Sequence, residues 1–228
     1  ESIKEVDNAN LIAVASTNKK RLNSFSIDFD IQKELRFNNY ESICKNKKID
    51  AIYISTLNNT HFDLIKMCAI NKKHILCEKP FCLNFNEALE IEKIINNNNV
   101  KFFEAIAYLS HPQTNHLLNL INSGEIGEIK SIKSSFGFKI KKIKPESRLF
   151  NKKLGGGSIL DIGCYPISFI SLFTNNKNEI KFQNINGEIC ETNVDIVASA
   201  DLLINDQISC KIKISLKEYF ENNSIIYG

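Results

Sequence analysis

The sequence predicts an α/β fold in two parts. A parallel, doubly wound sheet occupies the first half, and an α+β domain with a large, mostly antiparallel open sheet occupies the second. Two observations carry this. Short apolar runs alternate with helical patterns up to about residue 105, which is how parallel strands joined by crossover helices read. Beyond that point the strand-like stretches lengthen, few helices separate them, and the last three are spaced like a meander.

In the first half, Leu11 to Ala15 and Ala51 to Ile54 read as strands, the second following the polar loop Lys45 to Lys48. Thr60 is suited to cap a helix whose apolar residues Phe62, Ile65, Cys68 and Ala69 recur at helical spacing. His74 to Cys77 is a third strand. Asn84 then begins a helix with Glu87 as capping-box partner and Leu89, Ile91, Ile94 and Ile95 on its apolar side. Val100 to Ala105 is a fourth strand. A helix from about Gln113 to Asn122 stops at Ser123-Gly124. Strands follow at Ile129 to Phe138, Ile180 to Cys190, Val194 to Ile204 and Ile208 to Ile214, with the domain boundary near residues 107–112.

The 228 residues suffice for one large or two small cores, and 43% hydrophobic against 24% charged residues is ordinary for a globular protein. No apolar run approaches the roughly 20 residues that span a bilayer, and no signal-peptide pattern opens the chain, so a cytoplasmic location is expected. The net charge of +3 is small, and local clusters such as Lys19-Lys20-Arg21 and Lys139 to Lys144 lack the interleaved aromatics of a nucleic-acid footprint. They read as solvated faces, and no nucleic-acid or membrane partner is expected. Seven scattered cysteines without a C-x-x-C pair read as reduced, mostly packed thiols. The four histidines have no metal-ligand spacing with them, so no metal is expected.

Open α/β sheets bind ligands at the carboxyl ends of their strands. After the first strand come Ser16, Thr17 and Asn18, then Lys19, Lys20 and Arg21. Hydroxyl and amide groups here suit an adenosine ribose, and the cations suit a 2′-phosphate. That favours NADP over NAD, because the usual acidic reader of the ribose 2′-OH is missing. A polar turn opening a surface helix accounts equally well for any one of the cations. After the second strand, Ser55, Thr56, Asn58, Asn59 and His61 form a polar cluster of a kind common at loop tips. After the third come Glu78, Lys79 and Pro80. A lysine at a strand end can carry positive charge to a reacting oxygen, and a cis Lys79–Pro80 bond would fix the turn. Alone, a lysine before proline reads more readily as a surface loop.

The stretch from Gly155 to Pro166 holds Asp161 and Tyr165, four apart and so on one face of a helix. Asp161 interrupts an apolar run, where a carboxylate without partners is expensive. Tyr165 is suited to general acid–base work if an ammonium stabilises its phenolate. A glycine turn, a helix start and a core tyrosine are the plainer reading. Pro166 requires a kink or a helix start near it.

Taken in order, these segments resemble the glucose–fructose oxidoreductase/inositol dehydrogenase (Gfo/Idh/MocA) family. The resemblance rests on Asp50 to Thr56, Lys73 to Pro80, Glu104-Ala105, His111-Pro112, Ser123 to Glu128 and Gly156 to Tyr165, and it spans nearly the whole chain. Each piece is modest, and the ordered set is specific. It implies a Rossmann dinucleotide-binding domain over residues 1–108 and a substrate and oligomerisation domain over 109–228, each partial. It also implies hydride transfer between a nicotinamide and a sugar, polyol or related carbon, in a homo-oligomer. Lys79 falls on the lysine of the family's Glu-Lys-Pro motif, Asp161 on its second-domain aspartate and Tyr165 on its acid–base residue. Tyrosine there resembles the dihydrodiol and xylose dehydrogenase branch.

The implied roles follow. Tyr165 exchanges the hydroxyl proton, Lys79 stabilises its phenolate and polarises the substrate oxygen, and Asp161 orients the sugar hydroxyls or the lysine, all around one crevice. Ser16, Thr17, Arg21, Ser55, Thr56, Asn58, His61, Glu78, Lys79 and Pro80 line the NADP or NAD cradle. Departures stand beside this. The family's glycine-rich phosphate loop is expected before residue 1, and the remainder of its second domain beyond Gly228, so the chain reads as a fragment of a longer product. Leu57 replaces a common proline, and Leu109 a common arginine that contacts substrate or nicotinamide. A catalytically silent nucleotide- or sugar-binding relative and an inactive gene fragment are the competing readings.

Overall fold

A computed structural model describes residues 2–174 and 178–228. The chain divides into two compact units, Glu1–Thr56 with Thr60–Glu104, and Leu57–Asn59 with Ala105–Gly228.

In the first unit the short strand β1 (Val14–Ala15) leads to helix α1 (Lys19–Asp28), and β2 (Arg36–Phe37) leads to α2 (Tyr40–Lys45). The Asn18 side chain accepts the Arg21 N–H at 3.0 Å and starts α1, and Asn39 does the same for α2 through the Ser42 N–H at 2.8 Å. Strand β3 (Ala51–Ile54), helix α3 (Asn58–Ile70), strand β4 (His74–Cys77), helix α4 (Phe85–Asn98) and strand β5 (Phe102–Glu104) follow. All strand pairs are parallel, in two sheets, β1-β2 and β3-β4-β5. Parallel neighbours need crossovers, and the helices between them supply these.

Alternation along the strands divides the three-stranded sheet into two faces. Ile54, Ile75 and Cys77 lie in the core with Ile65, Cys68 and Ala69 of α3 and Ile91 of α4. On the opposite face Tyr53, Leu76 and Phe103 stand in register and are exposed. The strands of this sheet are therefore half-buried.

Several boundaries differ from expectation. Only Val14 and Ala15 of the first apolar run are paired, because β2 offers a ladder of two residues. Strand β5 is shorter than its apolar run for the same reason, since its ladder with β4 has three pairs. Thr60 is not a cap. Helix α3 begins two residues earlier, at Asn58, and the Thr60 hydroxyl meets that of Thr56 at 2.7 Å. Asn84 does cap α4, accepting the Glu87 N–H at 3.0 Å, while Glu87 reaches back one residue further than a standard box, to the Leu83 N–H at 2.9 Å. Leu89, placed on the apolar side, is exposed.

The second unit opens with helix α5 (Pro112–Asn122), which has proline in its first turn and ends at Ser123 with Gly124 at φ +80°. Strand β6 (Ser131–Gly137), helix α6 (Cys164–Ser171) and strands β7 (Ile180–Ile189), β8 (Asp195–Ile204), β9 (Ile208–Ser215) and β10 (Ser224–Tyr227) complete it. The sheet order is β10-β6-β9-β8-β7, antiparallel except for the β6–β9 pair. Ile162 and Ile170 pack with Ile132, Ile212 and Ile214, so the segment leading into α6 and α6 itself share a core with the sheet. Every residue of β7 is exposed.

Candidate functional site

In the first unit the polar groups gather at strand ends. Ser16 follows β1, its N–H bonded to Phe37 O at 3.0 Å and its hydroxyl accepting from the Asn18 N–H at 3.2 Å. Thr17 and Arg21 are exposed, and Arg21 with Lys19 and Lys20 crowds positive charge into the first turn of α1, which has no acidic residue. The amino end of a helix already carries partial positive charge, so an anion there relieves repulsion. This donor set fits a ribose phosphate.

After β3, Ser55 is exposed and Thr56 is tied to Thr60. His61, expected to face a cofactor, points inward instead. It is 0% exposed, with Nδ1 2.9 Å from Pro80 O and Nε2 3.2 Å from Thr56 O, so both ring nitrogens meet backbone carbonyls. It fastens the turn after β3 to the turn after β4, a buried structural role that periodicity does not reveal. Asn58, also placed at the cofactor, is buried and donates its amide N–H to Gly155 O at 3.1 Å.

After β4 the Lys79–Pro80 bond is cis, and Pro80 is buried. Glu78 accepts a hydrogen bond from the Tyr53 hydroxyl on the neighbouring strand. Although the Tyr53 ring is exposed, partial desolvation of its hydroxyl first, and then that carboxylate, push the phenol up to about 12. Glu104, at the end of β5, accepts the Phe81 N–H at 3.1 Å. Burial raises its pKa, while the Phe81 N–H and the Lys79 charge act the other way.

In the second unit Gly155, Gly156 and Gly157 turn the chain into the segment carrying Asp161 and Tyr165. Gly157 has φ +119°, and a Cβ there would run directly into the Asp195 carboxylate. That carboxylate accepts from the Ser158 hydroxyl at 2.5 Å and the Ile159 N–H at 2.7 Å, so β8 anchors the start of the segment. Asp161 does not lie on a regular α-turn with Tyr165 as expected. It sits in a π-helical turn, Ile159–Gly163, which runs into α6 at Cys164. Pro166 sits near the start of α6, where its missing N–H is tolerated.

Asp161 is buried, and its Oδ1 accepts from Arg148 at 2.7 Å. Tyr165 stacks on Phe136, with ring centroids 5.2 Å apart at 17°. Tyr108 joins the same helix through a 2.9 Å contact between its hydroxyl and that of Ser168. Arg148, Asp195 and Tyr108 carried no signal in the sequence, since each meets its partner only through tertiary contact. Among the described residues no cluster of three or more histidine, cysteine or acidic side chains is fit for a metal, and no helix is long and apolar enough to cross a membrane.

A parallel-strand unit with polar strand ends, followed by a mixed sheet carrying a glycine-led helix, defines a two-part protein of the Rossmann class. The chain belongs to the GFO/IDH/MocA family: residues 1–106 match its oxidoreductase, NAD-binding Rossmann-fold model and residues 114–228 its C-terminal domain. The trans-1,2-dihydrobenzene-1,2-diol dehydrogenase of Xenopus tropicalis is 29% identical over 218 residues, which are 96% of this chain and 64% of that protein. The D-xylose 1-dehydrogenase (NADP(+)) 2 of Haloferax volcanii is 29% identical over 74% of this chain and 50% of its own length. The chain thus spans less than two thirds of these relatives. The 3-ketoreductase KijD10 of Actinomadura kijaniata, solved with NADP and TDP-benzene, has a TM-score of 0.86 at 23% identity, over 100% of this chain and 68% of that one. An aldose-aldose oxidoreductase of Caulobacter crescentus has a TM-score of 0.89 at 20% identity, over 99% and 68%. These two likenesses are of fold.

Proposed function

We propose that the protein is an NAD(P)-dependent dehydrogenase or reductase acting on CH–OH groups of a sugar, polyol or diol, with residues 1–108 holding the coenzyme and 109–228 the substrate. The observation that carries this is the anchored segment bearing Asp161 and Tyr165 in a chain whose other half matches a NAD-binding oxidoreductase family. The names of the relatives, a diol dehydrogenase and an NADP-dependent xylose dehydrogenase, support the substrate and coenzyme classes.

The coenzyme, when bound, supplies the hydride acceptor or donor. Ser16, Thr17 and Arg21 would hold its ribose phosphate, with the exposed cations favouring NADP. Ser55, Thr56 and the Glu78-Lys79-Pro80 turn would line the rest of the cradle. In oxidation, Tyr165 as phenolate accepts the substrate hydroxyl proton as hydride leaves the same carbon. In reduction it returns that proton to the new alkoxide oxygen. Lys79 stabilises the phenolate and polarises the oxygen. Asp161, paired with Arg148, orients substrate hydroxyls. A homo-oligomer is supported by β7, which exposes Ile180, Phe182, Ile185 and Ile189.

The test is a coenzyme-reduction assay on the full gene product with pooled sugars, polyols and diols and either coenzyme. Reduced nicotinamide should accumulate, faster with NADP. No reduction with any pool, by folded protein that binds the coenzyme, would favour the catalytically silent reading.

A further inference from the structure

Glu104 closes β5, and its register sets it beside Cys77 at the end of β4, two residues before Lys79. Alternation puts its side chain on the helix-covered face with Cys77. From there its Oε1 reaches past the Lys79–Pro80 bond to accept the Phe81 N–H at 3.1 Å. One carboxylate therefore spans the turn that carries Lys79.

A carboxylate in such a place is costly unless hydrogen bonds and an opposite charge face it. The Phe81 N–H meets it directly, and the charge of Lys79, two residues earlier in the same turn, also acts against the effect of burial. Cys77 and Cys82 are titratable neighbours too, and Glu78 and Glu87 bear on these thiols in turn. Cys77 is pushed up to about 12 and Cys82 up to about 11, chiefly by burial, with Glu104 adding to both. Both thiols are neutral at ordinary pH, and Lys79 is a cation that bears on Glu104.

We propose that Glu104 is the positioning residue of the Glu78-Lys79-Pro80 turn, clasping its backbone at Phe81 and holding the Lys79 ammonium at the strand end. The proposal rests on reading Lys79 as a site residue. It separates two jobs. An amide isostere keeps an acceptor for Phe81 and loses the charge, whereas alanine loses both.

The first test needs no turnover. In the full gene product, carboxyl-carbon NMR follows the Glu104 titration with and without Lys79→Met. The midpoint should rise when the lysine is removed, and an unchanged midpoint overturns the pairing. The second test compares Glu104→Gln with Glu104→Ala. The Gln variant should keep the Phe81 amide resonance and coenzyme affinity while kcat falls about tenfold to a hundredfold with an altered pH profile. The Ala variant should also move that resonance. A Gln variant with wild-type kcat and pH profile overturns the positioning role. If the wild type shows no turnover, the hydride-transfer reading fails, and the NMR titration still decides the Glu104–Lys79 pair.

Discussion

Arg148 donates to Asp161 across 2.7 Å, pairing a half-exposed guanidinium with a carboxylate whose side chain is only 7% exposed. The geometry resolves a conflict visible in the sequence, where an acid interrupts an apolar run. Its charge is tolerable because a cation from the preceding loop meets it.

Removing Arg148 therefore leaves a buried charge under-compensated. Arg148→Ala should lower unfolding free energy by about 1–3 kcal/mol, since the guanidinium is partly in water. Adding Asp161→Asn should cost less in that background than in the wild type, as denaturant melts of the double-mutant cycle will read. Strict additivity would show that the two do not interact.

Gly157 and Asp195 act as one anchor. Gly157→Ala forces a side chain into a positive-φ position and against the Asp195 carboxylate, so a loss of about 1–3 kcal/mol is expected. Asp195→Ala strips the acceptor from Ser158 and the Ile159 N–H and should destabilise comparably. Thermal unfolding of the two variants and their combination measures the coupling, and the combined loss should fall short of the sum.

Tyr53 provides a pH signature. Its phenol is pushed up to about 12 by partial desolvation of the hydroxyl and by Glu78, whereas an unfolded tyrosine titrates at about 10. Between these values the unfolded chain has released the proton that the folded chain retains. Stability contributed by Tyr53 is thus intact below that window and falls as pH rises through it. Ultraviolet difference titration should show a late-ionising tyrosine that Tyr53→Phe removes and Glu78→Gln moves earlier.

The parts legible in the sequence are those specified locally. Asn84 with Glu87, Ser123-Gly124 and the runs from Ala51 and His74 announce their caps and strands through neighbours a few residues away. The mixed sheet was legible through the meander spacing of β7, β8 and β9. Strand β2, with two residues, is too short for a period to register. His61 was not legible as buried, because a ring set between two backbone carbonyls and a ligand-facing ring look alike in sequence. The anchoring of Asp161 by Arg148 and of Ser158 by Asp195 was hidden because each pair joins through tertiary contact over 13 and 37 residues. The π-turn beneath Asp161 was equally hidden, since no local pattern distinguishes it from an α-turn.

In the proposed reaction Tyr165, supported by Lys79, exchanges the substrate proton during hydride transfer. The most direct measurement is single-turnover coenzyme reduction by the full gene product, wild type against Tyr165→Phe, with coenzyme affinity titrated in parallel. The reduction rate of the phenylalanine variant should fall about a hundredfold or more, as for loss of a general acid–base, at unchanged coenzyme affinity. An undiminished rate in the phenylalanine variant would contradict it.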